Sequence, residues 1–188
     1  MVGLGNPGDK YRETRHNLGF EVALALARQC GASVEQELCG ALVSSAAEGS
    51  LLIARPQTYM NRSGFAVRCL VEHFAIDPER VLVVYDDLSL PLGRLRLRAE
   101  GGTGGHRGME SVIENLRTPK VARLRLGILP VGADGVSPPP AEDLAEFVLS
   151  RFEAAERPAV DELVAQASEA SRLWASDGVG AAMNRFNG

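Results

Sequence analysis

The run Val81-Leu82-Val83-Val84-Tyr85-Asp86-Asp87 decides how this chain folds. Four aliphatic residues in succession suit a strand buried on both faces, as in the centre of a partly parallel sheet. The carboxylates that follow then stand at its carboxyl end, where α/β proteins bind ligands. Further strand-like runs occur at Val2–Leu4, Leu38–Ser45, Leu51–Ala54, Gly93–Arg98 and Arg123–Leu129. Between them apolar residues recur at helical spacing: Val67, Leu70, Val71 and Phe74; Met109, Val112, Ile113 and Leu116; Val160, Leu163, Val164 and Ala167. Another helix, from about Leu18 to Cys30, is apolar on most sides and ends before Gly31, a residue suited to a left-handed cap. This interleaving predicts an α/β fold: a single-domain three-layer sandwich over residues 1–188, with a mixed twisted β-sheet and helices on both sides. Leu38–Ser45 and Leu51–Ala54, joined by a short loop containing Gly49, are expected to pair as an antiparallel hairpin. Pro130 to Pro140 reads as a surface loop before a short helix near Leu144–Leu149.

With 188 residues, 45% hydrophobic and 23% charged, the chain has the composition of an ordinary globular protein. No apolar run approaches the roughly 18 residues that span a bilayer, so the expectation is a cytoplasmic protein without membrane contact; a monomer is expected as well, though no pattern in the sequence fixes this. Three cysteines, at 30, 39 and 69, with no Cys-x-x-Cys pair, suggest reduced, buried thiols and no zinc site. A net charge of −4 argues mildly against nucleic acid, but distribution matters more than the sum. Arginine alternates with leucine in Arg94-Leu95-Arg96-Leu97-Arg98 and again in Arg123-Leu124-Arg125-Leu126. In extended chain each segment presents an arginine stripe opposite a leucine stripe, either a solvated strand face or a basic surface.

Gly3-x-Gly5-x-x-Gly8 has the spacing of a dinucleotide-binding loop, but Pro7 and the polar run Asp9–Arg15 favour a loop where that motif needs a helix. The glycines instead permit a tight turn that presents Asn6 at a strand end. His16, before the buried helix, has the side chain best suited to a general base near neutral pH, although a structural histidine is the commoner case. Asp86 could hold such an imidazole, or mark a turn or a metal site. Asn61 precedes a helix starting near Ser63 and could be no more than its cap. Glu100 to Gly108 is glycine-rich, as a mobile lid or a plain connector would be. No Gly-x-Ser-x-Gly elbow is present, which disfavours a serine esterase.

Taken together, Gly3-Leu4-Gly5-Asn6-Pro7-Gly8, Thr14-Arg15-His16-Asn17, Thr58-Tyr59-Met60-Asn61, Tyr85-Asp86-Asp87-Leu88-Ser89-Leu90-Pro91-Leu92-Gly93 and Gly104-Gly105-His106 resemble the bacterial peptidyl-tRNA hydrolase family along nearly the whole chain. The resemblance implies a cofactor-free, metal-independent hydrolase of the ester joining peptide to tRNA, with His16 as general base and Asp86 as its orienter. It implies that Asn6 and Asn61 bind the peptide main chain, and that Tyr11 and Met60 line the same cleft. It also implies that Arg98 and Arg125 meet the tRNA 5′-phosphate, with Arg96 adding backbone attraction. Arg107 stands where the family has asparagine, Ser89 where it often has Asp, Leu129 in place of a glycine, and Asp143 near an often basic position. Arg107 keeps open an alternative, a non-catalytic RNA-binding relative that retains the fold.

Overall fold

A computed structural model describes residues 1–132, 135–136 and 139–188. Its elements run β1 (Val2–Gly3), α1 (Leu18–Gln29), β2 (Gln36–Leu38), β3 (Ala41–Ala46), β4 (Leu51–Pro56), α2 (Ser63–His73), β5 (Leu82–Pro91), β6 (Leu95–Arg98), α3 (Arg107–Leu116) and β7 (Ala122–Leu129). The short strands β8 (Val131–Gly132) and β9 (Gly135–Val136), then α4 (Leu144–Leu149) and α5 (Arg157–Phe186), complete the described chain. Seven strands form one mixed sheet in the order β2-β3-β4-β1-β5-β7-β6. The parallel strands β4, β1, β5 and β7 make its centre, and antiparallel strands close both edges. Leu26 of α1 and Leu163 of α5 pack with Leu82 and Leu124 on one face; Met109 and Val112 of α3 and Val67 of α2 pack with Val83 on the other. The three-layer sandwich is thus the observed architecture.

Several elements differ in detail from the sequence reading. Leu38–Ser45 is not one strand. Leu38 ends β2, and a two-residue turn at Cys39-Gly40, with φ of 56° and 67°, starts the hairpin into β3. The predicted pairing with residues 51–54 holds, as the β3–β4 ladder. β5 extends beyond Tyr85 to Pro91 because its ladder with β7 continues, through a register shift, after the side chains leave the core. The segment read as a surface loop from Pro130 to Pro140 contains the antiparallel pair β8–β9; residues 133–134 and 137–138 of it lie outside the described residues.

The cysteine expectation is also overturned. Cys39 and Cys69 form a disulfide with Cα atoms 5.6 Å apart, and Cys30 is free. The hairpin turn and α2 bring together residues 30 positions apart, a proximity that sequence spacing does not carry. Nor are the thiols buried: Cys69 is exposed, Cys39 and Cys30 half-buried.

Two glycines position the site. A Cβ on Gly3 would lie 2.0 Å from the Gly19 carbonyl oxygen, and one on Gly19 would lie 2.4 Å from that of Val84. The backbone of α1 therefore rests directly on β1 and β5, bringing His16, just before the helix, to the carboxyl ends of those strands. The chain leaves β1 toward one edge of the sheet, through α1 to β2, and leaves β5 toward the other, to β6, so the strand order reverses between them and a crevice opens at their ends. At the sheet's far edge the Asn187 side chain bonds to Leu97 of β6 twice, accepting from its N–H (2.8 Å) and donating to its carbonyl (3.0 Å).

Candidate active site

The crevice is an open cleft of about 580 Å³, and Asn6, Tyr11, His16, Met60, Asn61, Asp86 and Arg107 all line it. The fold thus gathers every residue proposed for the catalytic and peptide-binding roles. The proposed tRNA-binding residues lie on β6 and β7, outside the cleft lining.

Asp86 is 2% exposed and lies where β5 leaves the core. His16 Nδ1 stands 2.8 and 3.1 Å from its two carboxylate oxygens, and His106 Nε2 3.2 Å from Oδ1. His106 Nδ1 accepts the Met109 backbone N–H (3.1 Å), capping α3, so its proton must sit on Nε2 and point at Asp86. His16 donates its Nδ1 proton to the same carboxylate, which leaves Nε2 as the basic atom. Burial acts to raise the Asp86 carboxyl, but His16 and His106 outweigh it and hold the group well below the usual carboxylate range. For His16 burial works downward, while the charge and hydrogen bond of Asp86 prevail and raise the imidazole above 6.5; Arg107 opposes that rise. Tyr85, buried against the His106 ring (centroids 4.6 Å), has its phenol pushed up to about 12 by burial.

One atom from each of His16, Asp86 and His106 lies within 4.8 Å of the others, close enough to hold a metal ion. The donor set fits that poorly. To ligate through Nε2, His106 would have to carry its proton on Nδ1, which the Met109 N–H already occupies.

Asn6 is held from both sides. The Asn17 side chain accepts its N–H (2.8 Å) and donates to its carbonyl (2.9 Å), while Asn6 Oδ1 accepts the Met60 N–H (2.8 Å). Its Nδ2 therefore remains as a donor at the cleft. Asn61 is exposed in the 3₁₀ turn Met60–Arg62, one residue before the N-cap of α2, so it is not the cap. Met60 is largely buried in the cleft floor, and Tyr11 meets Tyr59 edge to face at 6.4 Å. Arg107 is exposed at the first position of α3, on the rim.

The arginine stripes fare less evenly. Arg96 faces Arg125 and Arg98 faces Arg123 across β6 and β7, so all four share one side of the sheet. Arg123, however, is 2% exposed and donates to the carbonyls of Gly101, Gly102, Pro119 and Val121; it is structural, not surface. Arg125 is paired with Asp87 and donates to Ser89 Oγ (2.7 Å), whose hydroxyl in turn bonds to Asp87. Arg96 is exposed and Arg98 half-buried. Sequence reasoning assigned no role to His106, Tyr85 or Asn17. Their signals were the glycine run before His106 and the adjacency of Asn17 to His16.

The fold and the cleft define a class, that of α/β proteins in which a histidine–carboxylate pair stands in a cleft at the ends of parallel strands. Known proteins narrow it. The whole chain, residues 1–188, matches the family model for peptidyl-tRNA hydrolase. The peptidyl-tRNA hydrolase of Synechococcus sp. (strain JA-3-3Ab) is 45% identical over 190 residues, covering 100% of this chain and 81% of that protein. That of Alkaliphilus oremlandii is 40% identical, covering 100% and 98%. The crystal structure of peptidyl-tRNA hydrolase from Acinetobacter baumannii matches with a TM-score of 0.88 at 33% identity, covering 99% of this chain and 92% of that one. The chain belongs to the peptidyl-tRNA hydrolase family.

Proposed function

We propose that this chain hydrolyses the ester of peptidyl-tRNA, returning tRNA to translation, with His16 as general base on water. The reading is carried by the Asp86–His16 hydrogen bond, which commits Nδ1 as donor and leaves Nε2 unprotonated to take the proton of an attacking water. Asp86 stabilises the imidazolium so formed. Asn6 Nδ2 and the Asn61 amide bind the peptide main chain and the carbonyl, without reading side-chain identity. Base catalysis supplies roughly 10²–10⁴ in rate and a well-placed donor roughly 10²–10³. The direct test is peptide release from purified peptidyl-tRNA. Binding of tRNA without release would instead identify a non-catalytic RNA-binding relative.

Arg107 at the rim is compatible with turnover, since an exposed guanidinium leaves the cleft open. Its charge opposes the rise of the His16 pKa. The base works only when neutral, so kcat/KM falls as pH drops through that pKa, which lies above 6.5. Arg107→Asn removes the opposing charge; the acid limb of the kcat/KM profile is then expected to move to higher pH, with the plateau changed by about tenfold or less. An acid limb that stays in place would show that Arg107 does not act on His16.

The tRNA is expected to lie against β6 and β7, with Arg96, Arg98 and Arg125 meeting phosphate. Arg98→Ala should lower the log–log salt slope of tRNA binding by about 0.7–0.9. Arg125→Ala should lower it less, because Asp87 already neutralises that guanidinium. Equal slopes in wild type and the Arg98 variant would make the stripe a solvated face.

A further inference from the structure

Helix α4 forms part of the cleft wall through Leu144, Ala145, Val148 and Leu149, yet none of its six residues is buried. So short a helix has little stability of its own. Phe147 and Val148 rest against the core, and a polar fastening is added by Arg15, the neighbour of His16. That side chain is 5% exposed. Its guanidinium lies over the rings of Phe147 on α4 (4.6 Å) and Phe152 (4.8 Å). It donates to Ser150 Oγ (3.1 Å), to the Arg151 carbonyl and to Glu156 Oε2 (2.6 Å). Main-chain contacts follow the same path: the Arg15 N–H bonds to the Ser150 carbonyl (3.0 Å), and Thr14 bridges Arg151. Each of these side-chain partners of Arg15 thus belongs to α4 or to the segment directly after it.

We propose that Arg15 is a positioning residue, which fixes the α4 wall of the cleft relative to the turn bearing His16 and so sets how well substrate binds. The proposal rests on the cleft being the peptidyl-tRNA site. A planar guanidinium set over two aromatic rings and donating to three partners is not replaced by an ammonium, even though the charge is kept. The Arg15 side chain holds the wall, and its backbone is continuous with the turn that bears His16. Loosening it therefore frees the wall first, because His16 keeps its own bond to Asp86.

The test is steady-state hydrolysis of peptidyl-tRNA by Arg15→Lys, with His16→Ala assayed beside it. Arg15→Lys is expected to raise KM about tenfold, to leave kcat within about twofold, and to keep the acid limb of the kcat profile where it is in wild type. Phe147→Leu, which removes one ring of the stack without touching the cleft, should raise KM in the same direction by a smaller factor, and serves if Arg15→Lys does not fold. Unchanged KM in a folded variant, with only thermal stability lowered, would overturn the proposal and leave Arg15 a structural fastening. A fall in kcat with a displaced acid limb would overturn it too, showing action on His16 itself. Should His16→Ala retain turnover, the reading of the site fails; should it be inactive while both other variants match wild type, only the role of Arg15 fails.

Discussion

His16→Ala is expected to reduce peptide release from peptidyl-tRNA by at least the 10²–10⁴ of a general base, while tRNA affinity stays within about threefold. The affinity is spared because phosphate is expected to meet β6 and β7, and His16 lies in the cleft. Single-turnover hydrolysis and direct binding of deacylated tRNA separate the two effects. Turnover near the wild-type rate would place the base elsewhere, and the neighbouring His106 offers no obvious substitute. Both of its ring nitrogens are engaged, one by Met109 and the other by Asp86.

Asp86→Asn should be of similar severity for a different reason. The carboxylate accepts from both histidines, through His16 Nδ1 and His106 Nε2. An amide has one oxygen. Both histidines bond to Oδ1, so an amide whose oxygen takes that place can still accept from both, but its NH₂ then replaces Oδ2, 3.1 Å from the His16 Nδ1 proton. If the amide is flipped, its NH₂ stands at the Oδ1 place against both histidine N–H groups, which strains the α3 cap and favours moving the His16 proton to Nε2. In either case no charge remains to stabilise the imidazolium. A loss of roughly 10³–10⁴ in kcat is expected, with a circular dichroism spectrum like that of wild type. Near-normal kcat would dissolve the proposed partnership.

How much of this was legible in the sequence depends on how local the determining interaction is. The apolar run before Asp86 announces a central strand because burial on both faces is written in consecutive residues. The end of that strand at Pro91 is set by the partner β7, which no local pattern reveals. Helix α4 matched its expected bounds because proline-rich sequence precedes it and its apolar residues recur within one short stretch. Arg123 shows the opposite case. Alternation with leucine told correctly that it opposes the leucine face, but not that four backbone carbonyls would cover it. The Cys39–Cys69 bond and the His106–Asp86 contact fail to appear for the same reason: both are made by topology, 30 and 20 residues apart, between elements whose individual patterns contain no trace of each other. Asn6, His16, Asn61 and Asp86 were singled out through motif order, and the fold brings all four to one cleft.

The two bonds from Asn187 to Leu97 give the sheet a boundary. A strand with free N–H and carbonyl groups along its outer side is a template on which a foreign extended segment can grow the sheet. One carboxamide, with a donor and an acceptor side by side, occupies the outward N–H and carbonyl of Leu97, midway along this four-residue strand, much as a neighbouring peptide group would. An intruding strand would have to displace it before zipping up. The same strand carries Arg96 and Arg98, so under the proposed phosphate contact its face would meet nucleic acid while its edge is guarded against polypeptide. Extended polypeptide is thereby kept from adding to the sheet at this margin.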